Sequence, residues 1–433
     1  MKENRISKEL LNFIDKGTTP YHTVKEGKKV LEEANFTELN IRDGWDLKPG
    51  GAYYVSLYET SLFAFTIGNE WDKGQNLRIG VAHTDCPGFR IKASGEMISN
   101  DYLKLNTEVY GGPIINTWFD RPLSIAGRVA IKSEDPFHPK MKIFDIKEPV
   151  LTIPNLPIHL NKEINKGIEL NRQIDTIPLF SMQGKETNKK GFLKEYIGEK
   201  LDIKPDDILD YDIHIYNAEE GTELGMKKEF ISAPRLDNLT SVLALLKAII
   251  NGRRNEGINL IALYDNEEVG SRSKQGGDSS TLNLMIEKIY RGLAKSEGEK
   301  LFETLVDSLM ISVDVAHALH PNRPEKFDPI NHAKLNQGIV IKMDSNQKYT
   351  YDTEAVAIIQ QICEKAEVKY QKFVNRSDVI GGSTLGSIIS SWIPMKTVDL
   401  GVPLLAMHSA KETMGKTDQL YLERLLSTFF LLE

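Results

Sequence analysis

The chain has 433 residues, more than a single hydrophobic core usually holds, so two domains are expected. Its formal net charge of −7 argues against nucleic acid as a partner, because phosphate binding relies on clustered Lys and Arg. Only Cys86 and Cys363 carry thiols, which predicts a reducing, cytoplasmic compartment rather than a disulfide scaffold. No apolar run approaches the roughly 20 residues of a membrane-spanning helix, so no membrane partner is expected.

The N-terminal segment, residues 1–17, alternates charged and apolar residues and lacks the apolar stretch of a signal peptide. It predicts an amphipathic first helix. Further along the chain, short and continuously apolar runs at 77–83, 258–265 and 309–316 predict buried parallel strands.

Helices are predicted between and after these strands. One is predicted to start near Asp237 and end at Gly252, because apolar residues recur at helical spacing: Leu239, Val242, Leu243, Leu246 and Ile249. The segments 352–368 and 421–433 have the same spacing. The alternation of strands and helices predicts an α/β fold with a mostly parallel sheet and helices on both faces.

The middle of the chain differs from both ends. Residues 87–225 are richer in Pro, Gly and short alternating runs, which predicts an inserted, strand-rich domain. The α/β domain would then be discontinuous and consist of residues 1–86 and 226–433.

Polar side chains that can bind metal directly follow the apolar runs. In open α/β sheets ligands bind at the carboxyl ends of the strands, so these side chains are expected to converge. The candidates are His83 and Asp85 after the first run, Glu267 and Glu268 after the second, Asp314 in the third, His408 after a further apolar stretch, and Asp237 at a presumed helix start.

This set matches the needs of two zinc ions. Zinc takes nitrogen and oxygen ligands, and a pair of ions needs a bridging group such as a carboxylate. Three carboxylates and a hydroxide balance the charge of two divalent cations, and one histidine completes each set; the ligands are Asp237, Glu268, Asp314, His83 and His408. Asp85 is placed to accept the second N–H of the His83 ring. Glu267 is left over as the general base.

Each residue also has an ordinary structural interpretation. The Glu267-Glu268 pair alone would more often be solvated, and His83 could be a hydrogen-bonded interior histidine. Asp237 could serve only as a helix cap, Asp314 as a turn residue and His408 as a loop histidine. The absence of a G-x-S-x-G motif disfavours a serine hydrolase.

Taken together, several stretches resemble the M18 family of metallopeptidases, the aspartyl aminopeptidase family, over nearly the whole chain. They are TTPYHTVKEG, WDLKPGGAYYV, VAHTDCPG, YGGPIINTWFDRPLSIAGRV, IPNLPIHL, SAPRLDNL, YDNEEVGS, ISVDVAHALHPN, NQKY and LAMHSAKET. The resemblance implies that His83, Asp237 and Asp314 hold one metal, that Asp237, Glu268 and His408 hold the other, and that Glu267 is the base.

The resemblance also implies partners and substrate contacts. The inserted domain resembles a dimerisation domain, from which a homo-oligomer, a dimer-based dodecamer, is expected. His159 matches a histidine that reaches a neighbouring subunit's active site, whereas His317 and Lys342 match substrate-pocket positions. Lys342 would pair with an acidic side chain. Two features differ from the eukaryotic aspartyl enzymes: Cys86, and the segment MDSNQKYTYD that follows Lys342. The preference for acidic residues therefore stays open.

The predicted function is a metal-dependent aminopeptidase that removes the N-terminal residue of peptides. The predicted cofactors are two divalent ions per chain, Zn²⁺ first, with Mn²⁺ or Co²⁺ as alternatives. A deacylase on the same metal core, or a non-catalytic scaffold that keeps the fold, are the other interpretations.

Overall fold

The computed structural model describes residues 2–73, 76–184, 191–293 and 298–433. Its helices are α1 (Lys2–Lys16), α2 (Pro20–Glu33), α3 (Phe192–Leu201), α4 (Leu236–Asn251), α5 (Thr281–Gly292), α6 (Gly298–Val306), α7 (Thr353–Ala366), α8 (Leu385–Ile389) and α9 (Lys416–Leu431). Its strands are β1 (Thr37–Glu38), β2 (Ala52–Leu57), β3 (Ser61–Ile67), β4 (Leu77–His83), β5 (Gly88–Ser99), β6 (Tyr102–Tyr110), β7 (Leu123–Ile131), β8 (Lys140–Asp145), β9 (Leu179–Met182), β10 (Ile208–Asn217), β11 (Thr222–Leu224), β12 (Phe230–Ala233), β13 (Ile258–Tyr264), β14 (Leu309–Val313), β15 (Ala316–His317), β16 (Ile339–Met343), β17 (Tyr370–Val374), β18 (Lys396–Gly401), β19 (Pro403–Leu405) and β20 (Glu412–Gly415).

The chain forms two compact units. The first consists of Met1–Asp85, Gly221–Met407 and Glu412–Glu433, and the second of Cys86–Glu220 and His408–Lys411. The assignment of the first unit to catalysis and of the second to dimerisation stays a prediction.

The first unit is built on a nine-stranded sheet in the order β1-β2-β3-β13-β4-β14-β18-β16-β17. Its centre is parallel, because β13, β4, β14 and β18 run in one direction. The predicted strand 77–83 coincides with β4, and the predicted strands near 258 and 309 begin where β13 and β14 begin.

Helices cover both faces of this sheet. On β13, Ile261 and Leu263 pack in the cluster that contains apolar residues of α4 and α9, whereas Leu260 and Ala262 pack in the cluster of α5 and α8. Burial on both faces is why these strands are continuously apolar. The predicted α/β fold, with a mostly parallel sheet and helices on both faces, is confirmed.

Helix α4 shows how the sequence pattern becomes packing. The five apolar residues predicted to share a face are all buried, and Gly252 caps the C-terminus. Asp237 and Asn238 have non-helical backbone angles, so the regular helix begins only after them. Asp237 therefore lies where the chain enters the helix rather than within its hydrogen-bonded turns.

A five-stranded sheet, β11-β12-β20-β19-β15, completes the first unit. The second unit contains an antiparallel six-stranded sheet in the order β8-β7-β10-β5-β6-β9. Phe89, Ile125 and Ile213 of this sheet pack in one cluster with Phe192 and Ile197 of α3. Among the described residues, no helix combines the length and the apolar character that crossing a membrane requires.

Candidate metal centre

His83 ends β4 at the carboxyl edge of the parallel strands and is 2% exposed. Its Nδ1 lies 2.9 Å from the carbonyl oxygen of Asp85, which can only accept, so Nδ1 donates. Nε2 lies 3.3 Å from Asp237 Oδ1 and 3.6 Å from Asp314 Oδ1. A neutral imidazole with this tautomer directs its Nε2 lone pair at two carboxylates, so the arrangement requires a cation or a proton between them.

The pKa of His83 reports the same requirement. Burial lowers the pKa of this ring, but the hydrogen bonds with Asp237, Asp314 and Asp85 outweigh burial and raise the pKa well above its usual range. The carboxylates therefore create a strongly negative environment at Nε2, which a divalent cation would neutralise.

Asp237 and Glu268 complete the group of potential ligands. One ligand atom from each of His83, Asp237 and Glu268 lies within 4.8 Å of the other two. The start of α4 is fixed by two hydrogen bonds: Asp237 N donates to Glu412 Oε2 at 3.0 Å, and Asn238 Nδ2 donates to the Val313 carbonyl at 2.9 Å. One imidazole nitrogen and several carboxylate oxygens form a donor set that fits zinc.

Asp85 organises the turn that carries the two glutamates. Asn266 has a φ of 63°, and the chain turns there into a short 3₁₀ segment, Glu267–Val269. Asp85 Oδ1 accepts the Glu267 amide at 3.1 Å, and Asp85 Oδ2 accepts the Glu268 amide at 3.2 Å. This carboxylate was predicted to accept from the His83 ring. Its Oδ1 lies 3.5 Å from His83 Nδ1, and the backbone carbonyl of Asp85 makes the shorter contact.

Glu267 lies among other acidic groups. Burial raises the pKa of Glu267 to about 8, with further raising by Asp314, Asp85 and Asp237 and lowering by His83. Cations bound next to these carboxylates would favour the charged form of Glu267 and lower its pKa. The carboxyl group is therefore suited to take up and release a proton near neutral pH.

The two oxygens of Asp314 have different neighbours. Oδ1 lies 3.6 Å from His83 Nε2, whereas Oδ2 lies 3.1 Å from Lys342 Nζ. Burial raises the pKa of Asp314, but Lys342 and His83 outweigh burial and lower it. Burial lowers the pKa of Lys342, but Asp314 and Asp399 outweigh burial and raise it. Both groups are therefore charged in the folded protein.

Three further residues were predicted for the site. His317 is half-buried in β15, with its ring 6.1 Å from that of Phe373. His408 and His159 belong to the second unit: His408 Nδ1 is bonded to the Gly112 carbonyl at 3.0 Å, and His159 is exposed. The structure brings together His83, Asp85, Asp237, Glu267, Glu268, Asp314 and Lys342. The roles of His159, His317 and His408 stay predictions.

Two buried acidic residues near this group, Glu412 and Asp399, were not predicted from the sequence. Glu412, which accepts the Asp237 amide, follows His408 in a short polar segment with nothing to distinguish it. Asp399 is fully buried on β18, opposite Lys342 on β16. A lone aspartate inside the apolar run VDLGVPLL was the signal that could have identified it, because an unpaired buried charge is costly.

Comparison with known proteins connects this site to a family. The family model described as "Aminopeptidase I zinc metalloprotease (M18)" matches residues 13–430. The chain belongs to the M18 family of metallopeptidases. The resemblance stated from the motifs is thereby confirmed, and the zinc in the family description fits the donor set of His83, Asp237 and Glu268.

Curated relatives in this family match over nearly their whole length. A probable M18 family aminopeptidase 2 of Clostridium acetobutylicum is 43% identical over 429 residues, which are 99% of this chain and 99% of the relative. A protein with the same description from Ectopseudomonas mendocina is 37% identical over 423 residues, 97% of either chain.

The fold of this chain also matches solved structures. The chain matches one from the cryo-EM structure of the Ape4 and Nbr1 complex with a TM-score of 0.94 and 31% identity, covering 99% of this chain and 86% of the other. The match to Chaetomium thermophilum mApe1 has a TM-score of 0.88 and 28% identity, covering 99% and 97%. A structure of the S. cerevisiae mApe1 dodecamer has the same fold, with a TM-score of 0.86, 24% identity and coverage of 99% and 97%.

Proposed function

We propose that this M18 protein removes the N-terminal residue of peptides by hydrolysis at a centre of two zinc ions. The observation that supports this proposal most is the convergence of His83, Asp237 and Glu268 within 4.8 Å, with Glu267 on the same turn as Glu268. A ligand cluster next to a carboxylate that is not needed as a ligand is the arrangement of a metal-dependent hydrolase.

The proposed ligand sets share one residue. His83, Asp237 and Asp314 would hold one ion, since the last two both direct an oxygen at His83 Nε2. Asp237 and Glu268 would hold the second ion, for which the family resemblance adds His408. Asp237 is therefore the proposed bridge. Manganese or cobalt would suit the same oxygen and nitrogen ligands.

The chain's own residues perform the proton transfers. Zinc held by these ligands would act as a Lewis acid for the scissile carbonyl and would lower the pKa of a bound water. Glu267 takes the proton from the attacking water and donates it to the leaving amine. Asp85 keeps this glutamate in place through its hydrogen bond to the Glu267 amide.

A metal-removal assay tests this function. Chelation should abolish the release of p-nitroaniline from aminoacyl anilides, and added zinc should restore it, because the proposed reaction depends on the ions. The same protein should not hydrolyse N-acylated amino acids. Activity on acylated substrates alone would favour the deacylase, and zinc binding without any hydrolysis would favour the scaffold.

A site shared between subunits is the second part of the proposal. The homo-oligomer expected for this family would bring the exposed His159 of one chain to the site of its neighbour, where an imidazole could stabilise a tetrahedral oxyanion. The structure of S. cerevisiae mApe1 shows that a protein with this fold forms a dodecamer. Cytoplasmic location and peptide substrates remain part of this proposal.

Mixing two inactive variants tests the shared site. His159→Ala and Glu267→Gln chains, dissociated and reassembled together, should regain part of the activity, because one site of a mixed pair contains both intact residues. Subunit exchange is verified by native mass spectrometry of isotope-labelled chains. Reassembly of each variant alone is the control. Confirmed exchange without any recovered activity would contradict a role for His159 in a neighbouring site.

The preference for acidic N-terminal residues stays a prediction of the family resemblance. A panel of glutamyl, aspartyl, leucyl and lysyl anilides measures it directly on the wild-type enzyme. A higher kcat/KM for the glutamyl and aspartyl members would support the preference.

A further inference from the structure

Lys342 is unusually well enclosed for a lysine. It lies on β16 in the interior of the sheet and is 1% exposed. Lysine is almost never fully buried unless it is paired, so the partners of Lys342 indicate the role of its charge. Nζ donates to Asp314 Oδ2 at 3.1 Å and to the Val315 carbonyl at 3.2 Å. Both acceptors belong to the segment that follows β14.

A second carboxyl group lies next to Lys342 in the sheet. Asp399 on β18 is its direct partner in the antiparallel β16–β18 pair, so the two side chains project from the same face of the sheet. Asp399 is fully buried, and its Oδ2 accepts the Thr350 amide at 2.5 Å. The ring of Tyr349 also lies 5.1 Å from Nζ. Lys342 is thus surrounded by groups of its own chain.

We propose that Lys342 is a positioning residue for zinc: it fixes Asp314 so that Oδ1 is directed toward His83 Nε2, where zinc would bind. This inference rests on the proposed function, in which Asp314 is a zinc ligand. The geometry that supports it is the different contact of each Asp314 oxygen: Oδ2 binds Lys342 Nζ, whereas Oδ1 lies nearer His83 Nε2.

Two opposing effects of Lys342 must be weighed. By charge alone, removing a cation beside a zinc ligand would strengthen zinc binding. However, Lys342 also donates to the Val315 carbonyl, so its removal takes one hydrogen bond from the Asp314 side chain and one from the neighbouring backbone. Residues that orient a metal ligand typically account for about 10–100-fold in metal affinity. Orientation is therefore expected to outweigh charge.

The test measures zinc affinity of the full-length apo protein by competition with a chromophoric chelator. Lys342→Met should weaken one zinc-binding step by about 10–100-fold, because Asp314 is no longer held. Lys342→Gln retains an N–H donor without the charge and should weaken the step less. With saturating zinc, the remaining activity on leucyl and glutamyl anilides should change by the same factor.

Lys416→Met is the matched control. Lys416 is 7% exposed and is bonded to Glu223 and Asn4, away from the candidate ligands. Its replacement should lower the melting temperature and leave zinc affinity unchanged. Weakening of less than about threefold in Lys342→Met, or tighter zinc binding, would overturn the inference. If Lys342→Met does not fold, the zinc affinity of Lys342→Gln is measured instead, and weakening below the same limit would overturn the inference.

The outcome separates this inference from the function on which it rests. If the wild-type protein bound no zinc, the proposed function itself would be wrong. A wild-type protein that binds zinc, with a Lys342→Met variant that binds it equally well and loses only glutamyl activity, would assign Lys342 to the substrate instead.

Discussion

Glu267→Gln is expected to lower turnover by about 10²–10⁴-fold while the zinc content stays at the wild-type level. The substitution retains the shape of the side chain but removes the proton acceptor. It also leaves the local backbone intact, because Asp85 holds the turn through main-chain amides rather than through the Glu267 side chain. The measurement is kcat on leucyl anilide together with zinc content by elemental analysis.

The neighbouring glutamate provides a matched control. Glu268→Gln changes the same chemical group one residue further along the same turn, but in a residue whose carboxylate lies in the ligand cluster. This variant should lose zinc and activity together. If Glu267→Gln lost zinc in proportion to its activity, Glu267 would be a ligand, and the assignment of the base would be wrong.

The central strands could be predicted from the sequence because they are buried on both faces. Each of β4, β13 and β14 is a continuous apolar run, a pattern that needs no knowledge of its neighbours. The strand order could not be predicted, because β13 lies between β3 and β4 in the sheet although it is distant from both in sequence. Single-sequence patterns contain no information on which strand is the neighbour.

The metal-binding group could be found in part for a related reason. Residues at the carboxyl ends of parallel strands must share an edge, which predicts that His83, Glu268 and Asp314 converge. The contacts that fix them could not be found this way. The hydrogen bond from the Asp237 amide to Glu412 joins residues 175 positions apart, and neither residue type signals it. The buried contact between Lys342 and Asp314 could not be found this way either, because it joins residues 28 positions apart.

Asp237→Ala is expected to lower the occupancy of both zinc sites, because Asp237 is the residue common to the two proposed ligand sets. Its Oδ1 lies 3.3 Å from His83 Nε2, and it also belongs to the cluster that contains Glu268. Asp314→Ala and Glu268→Ala should each mainly empty one site. Zinc per chain, measured by elemental analysis after dialysis against a fixed free zinc concentration, compares the three variants.

Loss of zinc by general unfolding must be separated from loss of a ligand, and Asp418 offers the comparison. Asp418 is also a buried aspartate of the first unit, but it accepts the backbone amides of Asn336 and Gly338 instead of facing a histidine. Asp418→Ala removes these hydrogen bonds and should lower the melting temperature, while zinc per folded chain stays unchanged. Asp237→Ala should show the reverse: zinc falls at temperatures where circular dichroism still reports the wild-type fold. An Asp237→Ala protein that still held two zinc ions per chain would show that another group bridges the ions, and the shared ligand would have to be sought among Glu268 and Asp314.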